Sequence, residues 1–248
     1  MHPSSSIEPL ELRIAPAASF TFTDVDGDRV TITTSKGTNA DLAAILIHPA
    51  VGLSEELQRI DFSANAGAFA GTNLTVTATR TVLGGDGLVN VGYIDAGTSG
   101  GGSALDLGLI VIRGDLGRID AGGAALGSAA VKGLTVNSMG LFSTTTQEAG
   151  GDLRSDIAGA LRFLKVTGSF HGAQLHCGSV GAIAIGGDLV GGSALGSLFL
   201  GGDHSGFVAQ QIGSLKIGGA TIPLTAGPGN DLAGLLIGLT ADLRVREV

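Results

Sequence analysis

Three aspartates at alternating positions, Asp24, Asp26 and Asp28 in "FTDVDGD", are the densest group of potential ligands in the chain. Calcium is a hard cation that takes about six to eight oxygen ligands, and carboxylates spread across a glycine turn can converge on it. The motif is not an EF-hand: Gly27 stands at loop position four instead of six, and the twelfth position is Ser35 where that loop needs a bidentate glutamate. The structural alternative is a solvated hairpin turn whose geometry suits aspartate. Calcium is therefore the one cofactor the sequence offers, with Asp24, Asp26 and Asp28 as its ligands.

Other chemistry is sparser. Asp152, Arg154 and Asp156 supply the residue types that polysaccharide hydrolases and lyases use. Sugar sites usually stack rings on aromatics, however, and the chain has one Tyr and no Trp. The histidines are His2, His48, His171, His176 and His204. Five-residue spacing in a strand sends His171 and His176 to opposite faces, which opposes a shared metal. Cys177 adjoins His176, but neighbouring strand residues diverge, so the pair reads as a packed thiol and a polar side chain. Gly84-Gly85-Asp86-Gly87 and Gly100-Gly101-Gly102 lack the lysine and the strand-to-helix context of a phosphate loop. No G-x-S-x-G, H-E-x-x-H or P-loop occurs, and no catalytic residue is assigned.

What must position these residues follows from composition and spacing. The 248 residues include 43 glycines, 44% hydrophobic and 15% charged residues, with a formal charge of −8. An acidic surface repels phosphate backbones, so nucleic acid is excluded as a partner. No apolar run reaches the ~18 residues of a membrane span. One cysteine rules out a disulfide framework, and "MHPSSSIEPLELRIAPAA" lacks the apolar stretch of a secretory signal. Short apolar runs punctuated by glycine indicate many strands joined by tight turns.

Those runs repeat. "VGAIAIGGDL", "LGSLFLGGDH" and "IGSLKIGGAT" share a template of apolar, Gly, any, apolar, any, apolar, any, Gly, Asp. Laid along the chain, the template is anchored at residues 91, 107, 131, 161, 180, 195, 212 and 232, with Leu116 set aside as a second strand within its unit. The average gap of about 20 residues lies in the solenoid range. The fourth and sixth positions, such as Ile110/Ile112, Leu134/Val136, Leu164/Val166, Ile183/Ile185, Leu198/Leu200 and Leu215/Ile217, are apolar; the residue between them varies from lysine to phenylalanine. A period of two puts one set inside and the other outside. A single coil cannot bury its own apolar face, but stacked coils share one interior. The sequence thus predicts an all-β, right-handed parallel β-helix (a solenoid) over 91–248, preceded by an extension over 1–18 and a capping region of hairpin and short helix over 19–90. An antiparallel sandwich with glycine-rich hairpins is the alternative.

Within that frame, Gly186-Gly187, Gly201-Gly202 and Gly218-Gly219 are expected to turn the chain at positive φ. Asp115, Asp188 and Asp203 share one template position, where turn N–H groups or a cation compensate their charge. In the capping region, Phe20/Phe22 and Val30/Ile32 alternate across Asp26-Gly27 as a hairpin. Asn39 or Asp41 caps a short helix, Pro49 interrupts it, and Ser54 with Glu55-Glu56 begins a second turn. Val111, Ala184, Phe199 and Leu236 fall on the outward side of the strands, either under a long loop or at an assembly interface.

Two segments carry a family resemblance. "SIEPLELRIAPAA" is similar to the "IEPLEARIAPA" segment near the N-terminus of repeat-rich exported proteins of planctomycete and verrucomicrobial bacteria, where it precedes an "FTDVDGD"-like stretch. "IGSLKIGGA" and "VGAIAIGGDL" resemble their "IGSLTVGGDL" repeats. The resemblance covers the first forty residues and most of 91–240; Leu12 departs from it, standing where alanine is usual. It implies a surface protein without assigned chemistry. The expectation is a non-catalytic, extracellular or cell-surface structural module that self-assembles end to end or laterally into fibres or a surface layer, or contacts other surface components. Carbohydrate binding or cleavage along the solenoid, and a calcium-dependent adhesin module, are the alternatives.

Overall fold

Alternating apolar residues become strand through most of the described part of the chain; the segments anchored at 195 and 232 lie outside it. The computed structural model describes residues 18–51, 54–98, 102–123, 129–190, 206–209, 215–218 and 221–222. It is all-β, with three short helical turns among the described residues, and most of the described strands belong to one curled sheet.

The sheet begins as an antiparallel meander. Ala18–Thr23 pairs with Arg29–Thr34, placing Phe20 opposite Ile32 and Phe22 opposite Val30 as the alternation predicts. Arg29–Thr34 then pairs antiparallel with Leu74–Thr79, and Leu74–Thr79 pairs parallel with the first half of Leu107–Ala121. The meander and the parallel strands are thus one sheet, joined by a strand that belongs to both. The helix Asn39–Ala44 is capped by Thr38, whose side chain accepts from the Asp41 amide while Asp41 accepts from the Thr38 amide. Thr38, not Asn39 or Asp41, is the cap residue. The expected second helical turn at Ser54 is instead a strand pairing with Ala50–Val51. The chain continues into the strand Leu57–Asp61, because Leu57 and Ile60 belong to the buried interior.

From residue 107 the pairings are parallel and fall into three stacks. The first aligns Leu74, Ile110, Leu134, Leu164, Ile183 and Leu215 in direct register. In the second, Leu57–Asp61 lies beside Val91–Ala96, then 116–121, 154–157, 174–177 and Gly206–Ala209. Leu116, Met139, Phe170, Leu189 and Thr221 align in the third. The chain visits the stacks in one cyclic order from residue 107 onward. Ile110, Leu134, Leu164 and Ile183 are all buried, as are Ile94 and Ile119 in the second stack. Leu198 lies outside the described residues.

Two details correct the sequence reading. The segment at 91 does not stack on the one at 107; Val91 pairs with Leu116, so the same template serves two different stacks. Among the described glycines after the strands, Gly186, Gly187 and Gly218 do not have positive φ. A Cβ on Gly186 would overlap the Thr167 carbonyl, and one on Gly218 the Gly186 carbonyl. The template's first glycine obeys the same constraint: a Cβ on Gly117 would overlap the Gly92 carbonyl, and one on Gly181 the Arg162 carbonyl. These glycines let one rung settle against the backbone of the next. Gly27, at φ 100°, is a true turn glycine.

Candidate functional site

The Asp24–Asp28 turn is built by its own backbone. The Asp24 amide donates to the Asp28 carbonyl, the Gly27 amide to the Asp24 carbonyl, and the Asp28 amide to Asp24 Oδ1 at 2.7 Å. Folding brings a second loop against it. The Asp86 amide donates to Asp26 Oδ2 at 3.1 Å, the Gly87 amide to Asp28 Oδ2 at 2.5 Å, and Thr81 Oγ1 to the Gly27 carbonyl at 2.7 Å. One carboxylate oxygen from each of Asp24, Asp26 and Asp28 lies within 4.8 Å of the others, so the three predicted ligands converge. Asp28 is fully buried, Asp24 nearly so, and Asp26 is exposed. Among the described residues no Arg, Lys or His makes an ion pair with any of them. Burial, with the adjoining Asp26 carboxylate, pushes the Asp24 carboxyl up to about 7, while the hydrogen bond from Asp24 holds Asp26 below its ordinary value.

A larger polar array, which the sequence reading missed, runs along the outside of the second stack. Arg59, Tyr93 and Arg118 stand on successive rungs, with the guanidinium carbons 5.4 and 4.1 Å from the Tyr93 ring centroid. Beside them Asp61, Asp95 and Asp120 form a column of acids. Like charges on neighbouring rungs repel, and each acid is compensated. Arg59 reaches Asp95 at 2.5 Å and Asp61 at 3.1 Å; Arg118 reaches Asp120 and Asp152, both at 2.7 Å. Tyr93 Oη donates to Asp120 at 2.7 Å, and the Asp156 amide donates to the same carboxylate at 2.9 Å. Burial and the Asp120 acceptor push the Tyr93 hydroxyl well above its usual value. Burial works against the Arg118 charge, but Asp120, Tyr93 and Asp152 together more than offset it, so that guanidinium stays ionised.

The signal was present in the letters. Arg59-Ile60-Asp61, Tyr93-Ile94-Asp95 and Arg118-Ile119-Asp120 repeat one tripeptide, and Arg154-Ser155-Asp156 continues it. Segment 140–153 packs over this array, burying Thr146 and Gln147 and placing the Thr146 carbonyl where a Cβ on Gly92 would be.

Next to the array an open groove of about 370 Å³ is lined by Asp120, Asp156, His176 and Cys177 among others. Of the trio singled out for sugar chemistry, Arg154 pairs with Asp156 at 3.0 Å and Asp152 pairs with Arg118. His176 Nδ1 lies 3.9 Å from Asp156, while His171 is exposed on the separate short strand Phe170–His171, so the two histidines do not converge. Burial raises the Cys177 thiol to about 12, which suits a packed side chain and not a nucleophile. His48, one of the histidines weighed in the sequence, packs on Phe20 and Phe22 and meets Glu55 at 2.5 Å. Asp115 accepts from Ser138 Oγ at 2.8 Å and from the Leu141 amide at 3.1 Å, capping the turn of the next coil instead of its own.

Of the four outward residues, Val111 and Ala184 fall in one column with Thr135, Lys165 and Lys216. Phe199 and Leu236 lie outside the described residues, as do Asp203 and His204. Val111 is exposed near Leu109 and Phe163, which are also exposed. Among the described residues no helix is long and apolar enough to cross a membrane.

Comparison with protein-family models, with curated proteins and with solved structures found no match to this chain.

Proposed function

We propose that the curled sheet is a right-handed parallel β-helix and that the protein is a non-catalytic, exported structural or cell-surface module that associates with copies of itself. The observation that carries this reading is the cyclic order of the stacks. Segments 154–157, 161–166 and 170–171 are followed by 174–177, 180–185 and 189–190, then by 206–209, 215–217 and 221–222, each paired parallel with its predecessor. Such winding yields an elongated body with regular exposed edges, a form suited to scaffolding. The resemblance of "SIEPLELRIAPAA" and the glycine-flanked repeats to planctomycete and verrucomicrobial surface proteins points the same way. The acids of the second stack support a structural role too, since Asp95 and Asp120 are committed to Arg59, Arg118 and Tyr93.

Electron microscopy of the purified chain across a concentration series, together with labelling at the surface of its source cell, tests the proposal. Filaments or ordered arrays that grow with concentration, and label outside the cell, are expected. Dispersed monomers at every concentration, or label confined to the cell interior, overturn it. The groove beside Asp120, Asp156 and His176 favours a second reading, carbohydrate binding on the outside of that stack. A glycan array with Asp156→Ala as control separates the two: specific signal lost in the variant supports sugar recognition.

A further inference from the structure

We propose that Asp24, Asp26 and Asp28 hold a calcium ion that clasps the N-terminal hairpin to the 81–87 loop. Convergent acids alone do not make a site, since exposed carboxylates gather without ions. The second observation is Asp28 Oδ1. The Asp28 side chain is fully buried, its Oδ2 takes the Gly87 amide, and among the described residues its Oδ1 has no hydrogen-bond partner. A buried carboxylate oxygen without a donor is costly, and buried charge is normally paired with a cation or a metal. Oδ1 rests against Gly85, at φ 103°, where any Cβ would overlap the Asp28 carboxylate. Among the described residues no basic side chain pairs with the cluster, so its charge is left for a small cation to balance. Three hard oxygen donors with no histidine or thiolate select calcium over softer transition metals. Water and main-chain carbonyls complete such a shell in hard-cation sites of this kind.

The position explains what the ion does. Asp24 and Asp28 belong to the hairpin, and Asp26 and Asp28 already accept amides of Asp86 and Gly87. Neutralising the acids removes the repulsion that this junction carries.

The experiment uses the full chain stripped with EDTA, titrated with calcium chloride by calorimetry and melted with calcium, with magnesium and with neither. One calcium per chain, a Tm that rises with calcium and reverts with EDTA, and a smaller response to magnesium are expected. Hydrogen exchange at the Asp86 and Gly87 amides should slow on calcium addition. Asp26→Asn, at an exposed position whose amide oxygen still accepts from Asp86, should keep the far-UV spectrum and weaken calcium at least about tenfold. Asp28→Asn should abolish the response. No heat and no Tm shift in the wild type, or calcium binding undiminished in Asp26→Asn, overturns the site; an equal response to magnesium overturns its assignment to calcium.

Discussion

A missing methyl group decides how close two rungs can come. Gly117 approaches the Gly92 carbonyl so nearly that any side chain there must push the rungs apart. Gly117→Ala is expected to cost about 1–3 kcal/mol, the range for overpacking a filled site, as read by urea denaturation. Gly67 is the contrast: it sits in a helical turn with no described residue within 4 Å of its absent Cβ. Gly67→Ala should be neutral or stabilise by up to about 1 kcal/mol. Equal losses at both positions would remove the steric argument. Asp115 sets a pH dependence. Burial raises its folded-state pKa above the ordinary 3.8, against the pull of Ser138 and the Leu141 and Phe142 amides. The folded chain then keeps a proton that the unfolded chain has lost. Stability therefore falls as pH climbs from about 4, the ordinary carboxyl value, to the raised one. Asp115→Asn, which can still accept from Ser138, should flatten that part of the stability curve; an unchanged slope would show the burial penalty to be elsewhere.

Strands were legible where side chains alternate and obscure where backbone contacts decide. Phe20, Phe22, Val30 and Ile32 announce the hairpin because one face of each strand must be dry. Leu57 and Ile60 are three apart, a helical spacing, yet they lie in a strand. The same spacing recurs at Val91/Ile94 and Leu116/Ile119, where both members are buried and the alternation breaks next to a glycine. Local periodicity could not reveal that Val91 lies against Leu116, because stacking partners are chosen by matching whole segments. The Arg/Tyr ladder stayed hidden for the same reason: a lone Tyr reads as a poor sugar platform until it is seen between two guanidinium groups. The capping box of Thr38 and Asp41 was readable, and went unread because Asn39 and Asp41 are themselves good caps. The Asp24–Asp28 cluster was legible because its members are sequence neighbours, whereas its contact with Asp86 and Gly87 depends on the tertiary fold. At this scale the aligned interior carries the energy. Leu164 lies between Leu134 and Ile183, and Leu164→Ala should cost about 2–5 kcal/mol. A loss below 1 kcal/mol in chemical denaturation would mean the rungs do not share a packed interior.

At the scale of the molecule, the proposed winding, in which each described segment of a stack pairs with the one before and the one after it, makes length adjustable. Leu164 and Ile183 are paired and 19 residues apart, the shortest return in the first stack. Duplicating residues 161–179 in tandem should therefore add one turn and leave a folded protein, with far-UV dichroism per residue unchanged and a longer particle by small-angle scattering. An unfolded or aggregated product would count against repetitive winding. The strand Leu74–Thr79 has the opposite effect. It runs with 107–112 on one side and against Arg29–Thr34 on the other. Chain polarity reverses at Arg29–Thr34 and reverses again at Ala18–Thr23, so the strand at the edge of the hairpin runs the same way as the stack but is reached through a meander, not a winding. Any end-to-end filament of these molecules would therefore set a wound end against a meander end, and the reversed strand Arg29–Thr34 would recur once per molecule along its length as a break in the parallel ladder.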